Sequence, residues 1–134
     1  VRFEPPVGPG AEPFWDATRQ GRLVLPWCTT CGRPFWFPRE VCPRCLGDSL
    51  EWRDAAGDGT VYAFTVEHRP SPPSSPYDEP YVVALVELAE EVRLMSNIVG
   101  CRPSAVSVGM AVQVTWEPLG DGRQLPLFEP ATAR

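Results

Sequence analysis

The stretch Cys28-Thr29-Thr30-Cys31-Gly32, nine further residues, then Cys42-Pro43-Arg44-Cys45 decides how the first third of this chain folds. Each Cys-x-x-Cys puts two thiolates on one tight turn, and two such turns facing each other build a tetrahedral site. Gly32 follows Cys31, where a knuckle often needs positive φ. Four thiolates in a closed shell suit zinc and leave no position open for water or substrate, so the expected metal is structural. A mononuclear iron site of rubredoxin type uses the same ligands, and spacing alone does not separate the two metals. A thioredoxin-like redox pair needs a single motif in a βαβ setting, and two disulfides fit poorly in so short a hairpin.

Outward from the knuckles the sequence is rich in aromatics. Leu23 to Trp27 leads into the first turn, Phe35-Trp36-Phe37-Pro38 lies between the two, and Leu50-Glu51-Trp52-Arg53 reads as an exit strand. A ribbon this small cannot bury three consecutive aromatics by itself, so they are expected to meet the following domain or a partner. Upstream, Ala11 to Gly21 reads as a short amphipathic helix. Pro13 suits its first turn, Phe14, Trp15 and Thr18 share a side, and Gly21 ends it.

From Gly57 onward the pattern is all β. Thr60–Glu67, Tyr81–Leu88, Val92–Val99, Met110–Thr115 with Trp116, and Gln124–Phe128 are five strands rich in β-branched and aromatic residues. Gly57-Asp58-Gly59 and Gly120-Asp121-Gly122 read as turns, and Pro103–Gly109 as a short connection with room for one helical turn. Five short strands suit a small Greek-key barrel of the OB type, whereas a sandwich wants about seven. The expected fold is therefore mainly β: an N-terminal arm and helix over residues 1–22, a zinc ribbon over 23–54, and an OB-type barrel over 55–130. Between the first two barrel strands runs Arg69–Pro80, with five prolines, too proline-rich for helix or sheet interior. It reads as a stiff spacer or a ligand-contacting loop.

Composition narrows the chemistry. Seventeen acidic residues against twelve basic ones give a net charge of −5, which opposes tight nucleic-acid binding. A single-stranded nucleic-acid module is still the alternative reading, because ribbons and OB barrels both occur there. All twelve basic residues are arginine, so no lysine Schiff base can form. His68 is the single histidine, and Cys101, at the end of an apolar stretch, reads as a buried and inert thiol. Neither a nucleophile elbow nor a phosphate-cradling glycine loop is present. No apolar run approaches the roughly 18 residues of a membrane span and no signal-peptide pattern is seen, so a cytoplasmic location is expected. The chain begins at Val1 rather than Met, as a piece of a longer polypeptide would.

Taken in order, the helix, Cys28-Thr29-Thr30-Cys31-Gly32, Pro38-Arg39, Cys42-Pro43-Arg44-Cys45, Gly57 to Val66, Pro80 to Leu88 and Gly109 to Trp116 resemble a known family. It is the acyl-CoA-associated OB-fold family with an N-terminal rubredoxin-like zinc ribbon, once known as a domain of unknown function. The likeness runs from about Pro13 to Phe128 and departs where the turn Ala89-Glu90-Glu91-Val92 lacks the frequent glycine.

The resemblance implies a non-catalytic accessory domain that binds a thiolase-like partner and shares its acyl-CoA site. The reaction would cleave or form a carbon–carbon bond, of retro-aldol or thiolase type. In one branch, serving steroid side-chain degradation, the domain is the C-terminal part of a hydratase subunit of the hot-dog fold. Zinc would sit on Cys28, Cys31, Cys42 and Cys45, and Arg39, Arg44 and Arg69 are candidates for the CoA phosphates.

Overall fold

The computed structural model describes residues 4–68 and 79–131. Helix α1 (Glu12–Thr18) carries Pro13 in its first turn, where the missing N–H costs nothing, and Glu12 near the positive end of its dipole. Behind it Gly21 takes φ 67°, and Arg22 N–H turns back to Ala17 O at 3.1 Å. Strands β1 (Val24–Cys28), β2 (Arg33–Pro34) and β3 (Leu50–Asp54) form an antiparallel sheet in the order β2-β1-β3.

Strands β4 (Asp58–Glu67), β5 (Tyr81–Leu88), β6 (Arg93–Ile98), β7 (Ala111–Pro118) and β8 (Gln124–Pro130) close into a barrel in the order β4-β5-β6-β8-β7. This is the OB-type arrangement expected from the sequence. In β5 side chains alternate without a fault: Val82, Ala84, Val86 and Leu88 point inward and are buried. Pro103–Ala105 supplies the single helical turn of the β6–β7 connection, in 3-10 form.

Closure is uneven around the barrel. The β6–β8 seam carries one register pair, Ile98 with Phe128, and Val99 N–H donates to Phe128 O at 2.8 Å. Pro126 has no N–H to give, and its carbonyl accepts instead from Ser96 Oγ at 2.8 Å. A side-chain bond thus takes over where a ladder would normally run.

Three local readings change. Asp58 and Gly59 belong to β4 rather than to a turn. Gly59 is there because a Cβ would stand 2.7 Å from Glu87 O and 2.8 Å from Val86 Cγ1 on the paired strand. The glycine-free turn between β5 and β6 is built with Glu91 at φ 68°, so a glutamate holds the left-handed position that glycine holds elsewhere. Cys101 is half-buried, not buried. The proline-rich segment read at Arg69–Pro80 lies outside the described residues except for Glu79 and Pro80.

One core runs through both β modules. Phe14 from α1 and Leu23 and Leu25 around β1 join Val61, Val82, Val86, Val112 and Phe128 of the barrel in a single buried cluster. The helix is pinned to β8 by hydrogen bonds as well as by apolar contact. Thr18 is fully buried: its hydroxyl donates to Trp15 O at 2.6 Å and accepts from Gln124 N–H at 3.2 Å. Gln124 Nε2 returns a bond to Thr18 O at 3.0 Å. Among the described residues no helix is long and apolar enough to cross a membrane.

Candidate metal centre and the groove beside it

The two knuckles face each other as their spacing predicts. The thiol sulfurs of Cys28, Cys31, Cys42 and Cys45 all lie within 4.8 Å of one another. Cys28 Sγ is 3.6 Å from Cys45 Sγ, and Cys31 Sγ is 3.9 Å from Cys42 Sγ. Zinc–sulfur bonds of about 2.3 Å in a tetrahedron require sulfur separations of about 3.8 Å, so the donor set fits that metal. Main-chain donors aim at the sulfurs: Cys31 N–H reaches Cys28 Sγ and Arg44 N–H reaches Cys42 Sγ, each at 3.3 Å.

The electrostatics also call for a cation. The N–H groups of Cys45 and Arg44 draw the Cys42 thiol down to about 6 despite its burial. At Cys45 the Gly47 N–H pulls the same way but is outweighed by Cys28 and the other thiols, and the value is pushed up to about 11. Thiolates this close cannot all ionise beside one another without a positive charge between them.

The three aromatics between the knuckles divide three ways. Phe35 is buried with Cys28 and Cys42 in a small core inside the ribbon. Trp36 leaves the ribbon and meets Phe14 of α1 edge-on, ring centroids 5.1 Å apart, and Phe14 in turn meets Trp15 at 5.1 Å. Phe37 is 64% exposed. Metal loop and helix are therefore joined through one chain of rings, and Phe14 carries it into the core shared with the barrel.

Phe37 overhangs a groove of about 830 Å³. It is lined by Val83 of β5 and by residues of β6 and β8 that include Met95 and Leu125 as its floor, by the segment around Pro5–Pro9 with α1, and by Trp36–Glu40. The lining is predominantly apolar. The aromatic run was visible in the sequence; the floor residues were not singled out. The alternation of β6, with Leu94 buried and Met95 68% exposed, is the signal that would have found them.

The three candidate arginines are not gathered in one place. Arg39 stands at the rim of the groove and its Nε donates to Phe37 O at 3.2 Å. Arg44 donates to the carbonyls of Arg33 and Pro34 at 3.2 and 3.3 Å, bracing the ribbon. Arg69 lies outside the described residues. Arg123, which the sequence reading passed over, is 6% exposed; it pairs with Asp121 at 2.7 Å and stacks on Trp15 at 4.8 Å.

Comparison with known proteins finds matches to two successive stretches of the chain. Residues 15–51 match the rubredoxin-like zinc ribbon domain of ChsH2, and residues 52–117 match the ChsH2 C-terminal OB-fold domain. A solved structure described as the "Ltp2-ChsH2(DUF35) aldolase" contains a chain 36% identical to this one, with a TM-score of 0.87 over 96% of this chain and 100% of that one. The chain belongs to the ChsH2 (DUF35) family.

Longer relatives are also known. A probable enoyl-CoA hydratase alpha subunit of Thermomonospora curvata is 41% identical over 119 residues, 88% of this chain and 37% of that protein. The 3-oxo-4,17-pregnadiene-20-carboxyl-CoA hydratase alpha subunit of Mycobacterium tuberculosis is 42% identical over 62 residues, 46% of this chain and 19% of that protein. The ChsH2-type chain described here thus spans little more than a third, or less, of the length of these curated relatives.

Proposed function

We propose that this chain is a non-catalytic accessory subunit of an acyl-CoA aldolase, binding a thiolase-like partner and helping to form its acyl-CoA site. The observation that carries the reading is the match, along nearly the whole chain, to the structure described as the Ltp2-ChsH2(DUF35) aldolase. The reaction we assign to the complex is retro-aldol cleavage of a carbon–carbon bond in a CoA thioester. The steroid-type acyl group in the name of the mycobacterial relative supports a ring-bearing substrate. A hot-dog-fold hydratase, fused to this domain or associated with it, is the further partner suggested by the two hydratase relatives.

The residues of this chain agree with such a division of labour. It has no lysine, and its one histidine, His68, is exposed. Catalytic groups are therefore assigned to the partner. Zinc is the metal we assign to Cys28, Cys31, Cys42 and Cys45, because the sulfur separations suit it. What it supplies when bound is charge neutralisation and cross-linking. The chain's own residues do the rest: main-chain N–H groups orient the thiolates, and the loop between the knuckles carries Trp36 and Phe37 to the groove. Arg39 is the arginine we assign to the CoA phosphates.

Co-expression with a thiolase-like protein from the same organism tests the reading. The expected result is a stable hetero-oligomer that elutes as one species and holds one zinc per copy of this chain. Two independently eluting proteins would refute it.

A further inference from the structure

We propose that Cys45 is a redox modification site: a hydroperoxide oxidises the ribbon through this thiolate, which then closes a disulfide with Cys28 and releases the metal. The inference goes beyond the accessory role above and does not depend on it. It rests on an asymmetry among the four ligands. Cys28 and Cys42 are 1% and 0% exposed and pack with Phe35 in the small core of the ribbon, while Cys31 is half-buried against that core. Cys45 is exposed and stands outside it. Its neighbours leave it open. Leu46 is 72% exposed, and Gly47 has no side chain, although a methyl group there would stand 3.4 Å from Cys45 Sγ. A cysteine that ligates zinc is held as thiolate, the form that attacks peroxides, so access decides which of the four reacts first.

The chemistry runs in two steps. The Cys45 thiolate attacks the O–O bond of the hydroperoxide and keeps one oxygen as a sulfenic acid. The other oxygen leaves as alkoxide or hydroxide and takes up a proton. Cys28 Sγ lies 3.6 Å from Cys45 Sγ, so a buried thiolate already stands beside the oxidised sulfur. Its attack forms the S–S bond and expels hydroxide, which is protonated to water. With hydrogen peroxide, two thiolates, one peroxide and two protons give one disulfide and two waters. Cys31 and Cys42, 3.9 Å apart, are left as a pair of ligands, too few for a closed tetrahedral site. The change does not stop at the knuckles. Cys28 and Cys42 share their core with Phe35, and the next residue, Trp36, meets Phe14 of α1. Oxidation thus loosens the ring contact between ribbon and helix, and a dithiol reductant with zinc restores it.

Treatment of the zinc-loaded full chain with hydrogen peroxide tests the proposal. Released metal is read with a chromogenic chelator, disulfides by peptide mass mapping and the ring contact by tryptophan fluorescence. The expected result is one zinc released per chain, Cys28–Cys45 as the first bridge, a change in fluorescence, and recovery with dithiothreitol and zinc. A short pulse of iodoacetamide on the wild-type chain should label Cys45 ahead of Cys28, Cys31 and Cys42. Gly47→Ala, which lays a methyl group against the sulfur, should slow release at least twofold with zinc content unchanged. Cys101→Ser, in the β6–β7 connection, should leave the rate as it is. A first bridge between Cys42 and Cys45, labelling that begins at Cys31, release that needs Cys101, or zinc retained while peroxide oxidises Cys101 would each overturn the proposal. An unchanged rate in Gly47→Ala would remove the access argument on which it stands.

Discussion

Gly32 and Leu46 stand at the same position in the two knuckles and hold the same backbone conformation, φ 69° and 63°. Each follows the second cysteine of its turn, and each N–H donates to the carbonyl of the first cysteine at 2.8 Å, Gly32 to Cys28 and Leu46 to Cys42. The first knuckle uses the residue that enters the left-handed region freely; the second forces a leucine into it. The metal site is a near-symmetric pair of turns of unequal cost.

Leu46→Gly should therefore stabilise the metal-loaded protein, by about 1 kcal/mol on the ordinary cost of a left-handed non-glycine residue. Leu46 is 72% exposed, so little apolar contact is lost in exchange. Gly32→Ala should destabilise by a similar amount. Urea unfolding in excess zinc measures both, and a lowered midpoint for Leu46→Gly would refute the symmetry argument.

The same reasoning applies at the β5–β6 turn. Glu91 is exposed at φ 68°, and Glu91→Gly is expected to raise stability by about 1 kcal/mol without altering the fold. An unchanged or lower unfolding midpoint would count against it.

Gly59 predicts the opposite outcome. A methyl group there meets a backbone oxygen at 2.7 Å, which cannot swing aside as a side-chain tip could. Gly59→Ala should cost about 2 kcal/mol or more through displacement of β4 from β5. Hydrogen exchange would show loss of protection along these two strands, while zinc content of the folded fraction stays at one.

Asp121 carries a pH signature. Partial burial raises its carboxyl, but the Arg123 N–H and guanidinium, with Arg19 beyond, outweigh that and hold it below the ordinary aspartate value. A depressed folded-state value means that the stabilisation is fully present above the unfolded value, about 3.9, and is lost as pH falls through the folded one. Asp121→Asn should lower the unfolding midpoint at pH 7, and the gap to the wild type should close as pH drops below about 4. A gap independent of pH would show that Arg123 needs no charged partner.

How much of this was legible in the sequence depends on how local the cause is. The cysteine spacing and the unbroken alternation of Tyr81–Leu88 are short-range patterns, and the structure follows both residue for residue. Gly59 was read as a turn because the reason for a glycine there sits on Glu87 and Val86, across the sheet. Arg123, next to a Gly-Asp-Gly turn, looks like a solvated surface charge until α1 folds Trp15 over it. The bond between Thr18 and Gln124 joins residues 106 apart, and nothing near either announces it. Likewise Phe35, Trp36 and Phe37 are equivalent as a string of letters. Only the third dimension sends one into the ribbon, one to Phe14 and one to the rim of the groove.

The central claim is that this chain completes a partner's acyl-CoA site without performing the chemistry. The most direct measurement is cleavage of a ring-bearing β-hydroxyacyl-CoA by the separated chain, by the separated thiolase-like protein, and by the two recombined. The account predicts no turnover by this chain alone and a large gain for the pair over the partner alone. Turnover by the isolated chain, or full activity of the partner without it, would contradict the account.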